Sequence, residues 1–201
     1  GDPAIGDVLE QRYVIEALLG EGGMAKVYRV RHLRIGKILA VKILHAEFRR
    51  HVGMAARFLR EAKIISGVQH PNLIDIVDFG ETPAGDAFYV MEFLDGVSLA
   101  DIVDLGEGMD PGRALEIAGL ICEALDAVHR FGAIHRDLNP QNIVLLDRAE
   151  QLKLIDFGIA HVGQRLTAPG IALGTPEYMS PEQVLGKAPD ARSDLYSLGV
   201  T

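Results

Sequence analysis

Residues 133–144 read AIHRDLNPQNIV, and the polar side chains crowded into this stretch are not ones that packing alone requires. A hydrophobic helix is predicted before the stretch, and a strand-like run follows it. Pro140 keeps the segment from being helical, so Asp137 and Asn142, five residues apart, are predicted to lie on a loop. A loop of this composition indicates a site for chemistry.

A second polar motif follows in LIDFGIA, residues 154–160, whose Asp156 lies fourteen positions beyond Asn142. Asp156 ends an apolar strand there, and Gly158 frees the backbone after it. Two carboxylates and a carboxamide are hard oxygen ligands of the kind that Mg²⁺ takes, although one of them could instead orient a hydroxyl group. Asp and Asn also cap loops, so each motif taken alone is open to a structural interpretation.

The stretch LLGEGGMAKVY, residues 18–28, joins two predicted strands through a glycine-rich loop. Its glycines, Gly20, Gly22 and Gly23, would let the backbone approach a ligand and direct bare N–H groups at an anion. A plain hairpin turn would also use glycines, and the loop alone does not separate the two interpretations.

Two opposite charges stand on predicted inward faces. Lys42 lies mid-strand in ILAVKIL, on the face of Ala40 by alternation, and Glu61 shares a helix face with Phe58. A buried ammonium group needs an anionic partner, because leaving it unpaired costs about several kcal/mol. A Lys42–Glu61 ion pair is therefore predicted, either as part of a site or as a structural salt bridge.

The chain divides into a strand-rich part, 1–94, and a helix-rich part, 95–201. Strands are predicted at 13–20, 26–32, 37–44, 72–80 and 87–93, and a helix at 54–67 that buries Phe58, Ala62 and Ile65. The clearest helix covers 111–131, between an N-cap at Asp110 and a stop at Gly132. Its predicted buried stripe is Ala114, Ile117, Ala118, Ile121, Leu125 and Val128. This pattern predicts an α+β fold.

Composition narrows the function classes. A net charge of −8 argues against a general binder of nucleic acid or of membrane surfaces, which relies on clustered Lys and Arg. No apolar run reaches the length of a membrane span, and the first residues carry no export signal. The single cysteine, Cys122, is predicted to be a small buried core residue, and one thiol fits a reducing cytoplasm.

Taken in order, the motifs resemble those of the eukaryotic-type protein kinases, within them the bacterial serine/threonine kinases. They are LGEGGMAKVY, AVKIL, REA, HPNLI, VMEFLDGVSL, HRDLNPQNI, DFGIA, GTPEYMSPEQ and SDLYSLGV, and they cover nearly the whole chain. The resemblance implies two lobes: an antiparallel five-stranded lobe with one main helix, and a mainly helical lobe. It also implies transfer of the γ-phosphoryl group of ATP to protein Ser or Thr hydroxyls.

The resemblance implies a role for each motif. Asp137 orients the acceptor hydroxyl, Lys42 holds the α- and β-phosphates, and Glu61 fixes Lys42. Asn142 and Asp156 hold Mg²⁺, with Mn²⁺ as an alternative. The residues implied in nucleotide binding are the phosphate loop Gly20, Glu21, Gly22, Gly23, Met24 and Ala25, the adenine walls Leu19, Val27, Ala40, Met91 and Val144, and the backbone of Glu92 and Leu94.

Regulation is also implied. The resemblance implies an activation segment at about 156–182, in which Thr167 is the best-placed phosphorylation site. Arg136, Arg57 and His161 could form a basic pocket for its phosphate. Arg57 could equally be an ordinary surface residue. Pro140 and Thr175 of GTPEY match the Ser/Thr branch, and Asp194 is implied to support the catalytic loop. Some relatives dimerise through the first lobe, so a homodimer is a further expectation.

Three departures qualify the resemblance. Ala25 replaces the third glycine of the loop, and Asn139 replaces a lysine that contacts the γ-phosphate, so part of the transition-state stabilisation is expected to be missing. The chain ends inside an apolar helix, which predicts a truncated second lobe. A nucleotide-binding pseudokinase and an inactive fragment remain alternatives, and a small-molecule phosphotransferase lacks a counterpart of GTPEYMSPEQ.

Overall fold

The computed structural model describes residues 3–50, 53–104, 109–146, 151–157 and 176–201, and these form two compact units. The first unit contains residues 1–67 and 75–93, and the second contains 68–74 and 94–201. The segment 68–74 joins the second unit because Leu154 exchanges backbone hydrogen bonds with it. Leu154 donates to Asn72 at 2.8 Å and accepts from Ile74 at 3.0 Å.

An antiparallel sheet of six strands forms the first unit. Its strands are β1 (Val8–Leu9), β2 (Tyr13–Glu21), β3 (Ala25–His32), β4 (Ile38–Leu44), β5 (Ile76–Glu81) and β6 (Ala87–Glu92), in the order β1-β2-β3-β4-β6-β5. The five predicted strands are present, although the one predicted at 72–80 begins only at Ile76. The additional β1 has two residues, too few to show alternation, and it turns into β2 through Glu10 and Gln11 at φ 44° and 56°.

The two faces of this sheet have different tasks. One face packs into a buried cluster formed by Leu9, Tyr13, Ile15, Tyr28, Val30, Leu39, Val41, Ile43, Phe88 and Val90. The helix α1 (Met54–Ser66) packs on β5 and β6 and buries Phe58, Ala62 and Ile65, as predicted. Alternation along β4 leaves Ala40 and Lys42 on the face opposite Val41, outside that cluster.

The second unit combines a small sheet with helices. Strands β7 (Gly96–Ser98), β8 (Ile143–Leu146) and β9 (Gln151–Leu154) pair antiparallel in that order. The helices are α2 (Leu99–Asp104), α3 (Pro111–Arg130), α4 (Pro181–Val184) and α5 (Ala191–Val200). Short 3₁₀ turns occur at Pro140–Asn142 and Pro176–Tyr178 in this unit, and at Ala46–Arg50 in the first unit.

Helix α3 has the predicted ends but a shifted stripe. The Asp110 carboxylate caps it by accepting from the Arg113 N–H at 3.1 Å, and Gly132 follows it at φ 79°. The buried residues are Ile117, Ile121, Ala124, Leu125 and Val128.

The predictions for Ala114 and Cys122 were wrong, because both residues are exposed, and Ala118 is only half-buried. Ala114 lies in the first turn, one turn before the buried stripe begins, and Cys122 lies about 100° around the helix from Ile121. Within the described parts of the chain, no helix has the length and apolar character to cross a membrane.

Candidate active site

The glycine-rich loop closes the hairpin between β2 and β3. The Gly22 N–H donates to the Ala25 carbonyl at 2.9 Å, and a bulge in β2 at Leu19 breaks the register just before it. Of the glycines here, Gly20, Gly22 and Gly23 all avoid the left-handed region. A Cβ on Gly20 or Gly23 would meet nothing within 4 Å. Neither conformation nor packing requires glycine at those two positions, so the absence of side chains is best explained by a ligand that approaches the backbone.

Lys42 and Glu61 belong to elements that pack together. Lys42 stands directly opposite Tyr89 on β6, so their side chains share one face of the sheet. The Tyr89 ring lies 5.0 Å from the ring of Phe58 on α1, and Glu61 follows Phe58 by about one helical turn. Both charged residues are half-buried, and both have polar or electrostatic partners. The structure thus brings them to a common face, and their mutual ion pair stays a prediction.

The predicted adenine-binding residues of the first unit lie on β2, β3, β4 and β6. Ala40 stands opposite Met91 on the face that carries Lys42, and both are buried, whereas Leu19 is exposed and Val27 half-buried. The Glu92 N–H donates to the Asp75 carbonyl at 2.9 Å. The Glu92 N–H is therefore already engaged within the protein. In the second unit, Leu94 and Val144 are half-buried.

Two carboxamides hold the carboxylate of Asp137. Asn139 Nδ2 donates to Asp137 Oδ1 at 3.1 Å, and Asn142 Nδ2 donates to Asp137 Oδ2 at 3.1 Å. Each carboxamide also donates to the Asp137 carbonyl, at 3.1 Å from Asn139 and 2.8 Å from Asn142. Hydrogen bonds to an ionised group are stronger than neutral ones, so this clamp orients the carboxylate.

Asn139 lacks the positive charge of the lysine that it replaces, but its side chain has a structural role in the loop. Its side chain is only 2% exposed, and its Oδ1 accepts from the Gln141 N–H at 3.0 Å while its Nδ2 holds Asp137. The sequence indicates the missing positive charge, but no spacing rule reveals the bond from Asn139 to Asp137. Thr175 of the motif GTPEY, which the resemblance implies beside this loop, lies outside the described residues.

Asp194 of α5 anchors the catalytic loop from below, as the resemblance implied. Its carboxylate is 1% exposed and accepts from the backbone N–H of His135 at 2.9 Å and of Arg136 at 2.8 Å. His129 Nε2 lies 2.7 Å from the same carboxylate. The loop is thereby tied to α3 and α5. His129 was not singled out from the sequence, where it looks like an ordinary residue in the last turn of a helix.

Arg136, the residue before Asp137, has φ 68°, an uncommon conformation for a side-chain-bearing residue. Gln183 of α4 stabilises it by donating from Nε2 to the Arg136 carbonyl at 2.8 Å. The motif SPEQ therefore supplies a positioning bond in addition to a helix start. No local pattern in the sequence indicates this role of Gln183, because Arg136 lies 47 positions away.

His135 links the catalytic loop to the segment after β9. Its side chain is fully buried, with Nε2 3.1 Å from the Ile155 carbonyl and the ring 4.4 Å from the ring of Phe157. Burial lowers the pKa of His135, although the nearby carboxylates of Asp194 and Asp137 act in the opposite direction. The ring is thus neutral at neutral pH and serves as a structural spacer.

The predicted metal ligands fit a hard cation. Asn142 uses its Nδ2 to hold Asp137, and its Oδ1 takes no part in those two bonds. Asp156 is half-buried and adopts φ 52°, which turns the chain sharply just after β9. A carboxylate and an amide oxygen are the donor types that Mg²⁺ accepts alongside phosphate oxygens. Gly158 of the same motif lies outside the described residues.

The structure describes two of the four residues of the predicted regulatory pocket. Arg57 is exposed on α1 and Arg136 is half-buried in the catalytic loop, and both have polar or electrostatic partners. Thr167 and His161 lie outside the described residues. The basic pocket for a phosphorylated Thr167 stays a prediction.

Comparison with known proteins is consistent with this geometry. Residues 13–201 match the model of the protein kinase domain family. The chain is 46% identical over 201 residues to serine/threonine-protein kinase pkn2 of Myxococcus xanthus, which covers 96% of this chain and 24% of pkn2. It is 43% identical over 198 residues to serine/threonine-protein kinase PknB of Mycobacterium tuberculosis, covering 95% of this chain and 32% of PknB. The chain thus spans about a quarter to a third of these curated relatives.

Among solved structures, a cysteine-to-alanine mutant of the Mycobacterium tuberculosis PknI kinase domain superposes with a TM-score of 0.78 at 28% identity, covering 98% of this chain and 74% of that one. The sequence match, the superposition and the arrangement around Asp137 agree. The chain belongs to the protein kinase family.

Proposed function

We propose that this chain is the catalytic domain of a serine/threonine protein kinase, which transfers the γ-phosphoryl group of ATP to Ser or Thr hydroxyls of proteins. The observation that carries the proposal is the clamped carboxylate of Asp137, held at one oxygen by Asn139 and at the other by Asn142. A structural loop has no need to orient a carboxylate in this way, whereas a group that must meet an incoming hydroxyl does.

The residues divide the work of phosphoryl transfer. Asp137 accepts the hydrogen bond of the acceptor hydroxyl and aligns its oxygen with the γ-phosphorus. Lys42 and the N–H groups of the loop 20–25 neutralise and orient the phosphates. Asn142 and Asp156 would hold Mg²⁺, or Mn²⁺ in its place. When bound, the cation would supply charge neutralisation to the phosphate groups.

The choice of Ser and Thr as acceptors rests on two supports. Pro140 and the GTPEY motif resemble the Ser/Thr branch of the family. The curated relatives at 41–46% identity are themselves named serine/threonine-protein kinases. Protein rather than small-molecule substrates are favoured by the segment SPEQ, whose Gln183 bonds to the catalytic loop next to Asp137.

Autophosphorylation of Thr167 is part of the proposal. A phosphate there would carry close to two negative charges and would suit Arg136 and Arg57. Thr167→Ala is expected to lower activity and to leave the activation segment more open to proteolysis. Unchanged activity and unchanged protection would contradict this part of the proposal.

The cellular compartment and the partners of the chain are proposed from its composition and from the family resemblance. A reducing cytoplasm is proposed on the single cysteine, and the charge of −8 disfavours nucleic acid and anionic membranes as partners of this segment. A homodimer through the first unit is proposed on the resemblance alone.

The main rival is a pseudokinase that binds nucleotide without transferring phosphate. Asn139 supports it, because a neutral side chain replaces a cation, and the presence of Lys42, Glu61, Asp137 and Asp156 opposes it. Nucleotide affinity without phosphoryl transfer would separate the rival from the proposal.

The test is intact-mass analysis after incubation with Mg-ATP and a Ser/Thr-rich protein substrate. The wild-type chain, Asp137→Asn and a matched control, Asp126→Asn, are compared. The control removes an exposed carboxylate on α3 that pairs with Arg130. Phosphate added by wild type and control but not by Asp137→Asn supports the proposal. Nucleotide binding with no transfer by any of the three favours the pseudokinase.

A further inference from the structure

His45, the residue directly after β4, makes two hydrogen bonds to the glycine-rich loop. Its backbone N–H donates to the Met24 carbonyl at 2.8 Å. Its ring Nε2 lies 2.8 Å from the Gly22 carbonyl oxygen, and since a carbonyl can only accept, Nε2 carries the hydrogen. One residue thus holds two of the carbonyl groups in the loop.

These bonds matter because the loop has little else to hold it. Gly22 and Gly23 are exposed, and a Cβ on Gly22 would meet only the Ala25 carbonyl, at 3.8 Å. Gly22 and Gly23 have no side chains to pack, so their conformation depends on backbone bonds such as the one from Gly22 to Ala25. The two bonds from His45 come from the end of β4, a strand held on both sides by β3 and β6.

Peptide geometry converts the held carbonyls into aimed donors. In a trans peptide the C=O and the following N–H point in opposite directions, and the described residues contain no cis peptide bond. Because the carbonyls of Gly22 and Met24 point to His45, the N–H groups of Gly23 and Ala25 point away from it. Backbone N–H groups of a glycine-rich loop that point away from the residue holding their carbonyls can donate to an anion on the other side.

We propose that His45 is a positioning residue that fixes the glycine-rich loop so that the N–H groups of Gly23 and Ala25 face the phosphates of the bound nucleotide. The inference rests on the proposed function, because it takes ATP as the ligand. The side-chain hydrogen bond that fixes the loop is made by the ring Nε2 of His45, which lies 2.8 Å from the Gly22 carbonyl oxygen.

The test compares ADP with adenosine, which lacks phosphates, as calorimetric ligands of the 201-residue chain. The variants are His45→Ala, which removes the ring, and His45→Gln, whose amide nitrogen can replace Nε2. His45→Asn is too short to reach, and Glu47→Gln is an exposed control on the following 3₁₀ turn. His45→Ala and His45→Asn are expected to weaken ADP about three- to tenfold, the effect of one net hydrogen bond. Adenosine affinity is expected to stay constant, and His45→Gln and Glu47→Gln to bind like wild type.

Each outcome decides between the possibilities. Loss of ADP affinity with constant adenosine affinity and rescue by Gln supports the inference, because a general destabilisation of the unit would weaken both ligands. Unchanged ADP affinity in His45→Ala, or equal losses for both ligands, overturns it. A wild-type chain that binds neither ligand refutes the proposed function, and the inference with it.

Discussion

Removing the carboxylate of Asp194 is expected to release the catalytic loop. In Asp194→Ala, the backbone N–H groups of His135 and Arg136 lose acceptors at 2.9 and 2.8 Å in a site where Asp194 is 1% exposed. A buried donor left without a partner costs about 1–3 kcal/mol, so two such donors cost about 2–6 kcal/mol. That is a large part of the roughly 5–15 kcal/mol by which domains are stable.

The assay combines urea unfolding with hydrogen exchange. Asp194→Ala is expected to lower the free energy of unfolding by the amount above and to speed amide exchange at residues 135–142. Asp190→Ala serves as the control, because Asp190 caps the same helix α5 but bonds only to Arg192 and Ser193 among its described contacts. It is expected to have a smaller effect and to leave exchange in the catalytic loop unchanged.

A contrary result is easily recognised. If Asp194→Ala lowers the free energy of unfolding by less than about 1 kcal/mol, and the exchange of His135 and Arg136 matches wild type, the two bonds are not what holds the loop. Equal effects of Asp194→Ala and Asp190→Ala would likewise trace the loss to α5 as a whole.

Three further predictions concern the clamp, a close approach and an ionisation. Asn139→Asp keeps the acceptor but replaces the donor to Asp137 by a like charge, so turnover should fall by about ten- to hundredfold with folding intact by circular dichroism; a turnover equal to wild type would contradict the clamp. Gly96→Ala would place a Cβ 2.3 Å from a backbone carbonyl of β8, so the melting temperature should fall, and an unchanged value would show that β7 moves freely. Burial and the hydrogen bond to Asp78 raise the pKa of Tyr13 to about 12, above its ordinary value of 10.0, so the folded state favours the neutral phenol. The stability from this shift should be complete below pH 10 and lost as pH rises towards 12; Tyr13→Phe should lack that loss relative to wild type in urea titrations, and parallel profiles would disprove it.

Much of the first unit followed from local pattern. The limits of α1 and its buried residues Phe58, Ala62 and Ile65 were predicted because a helix that packs on a sheet must repeat its apolar residues every three or four positions. In the second unit, the N-cap of α3 at Asp110 and the glycine just after its C-cap, Gly132, followed from backbone chemistry that acts within one turn. Such features involve neighbours in the chain, so the sequence alone contains their cause.

The misses share a different origin. Cys122 is apolar enough for a core, but whether a residue at the edge of a stripe is covered depends on what packs beside the helix. The strand β1 exists because β2 offers it a partner, and two residues carry no periodicity of their own. Membership of 68–74 in the second unit depends on bonds to Leu154, some eighty positions away.

The family, the order of the motifs and the residue types that chemistry needs can be read from the amino-acid sequence, because those are properties of the residues and their spacing. How Asp137 is held depends on the folded arrangement. Its clamp by Asn139 and Asn142, the support of its loop by Asp194 across 58 and 59 positions, and the bond from Gln183 need atoms to come within about 3 Å. Hydrogen bonds act only over such short distances. Folding sets the loop conformation that brings Asn139 and Asn142 to Asp137, and it brings Asp194 and Gln183, which are remote in the chain, to the same loop.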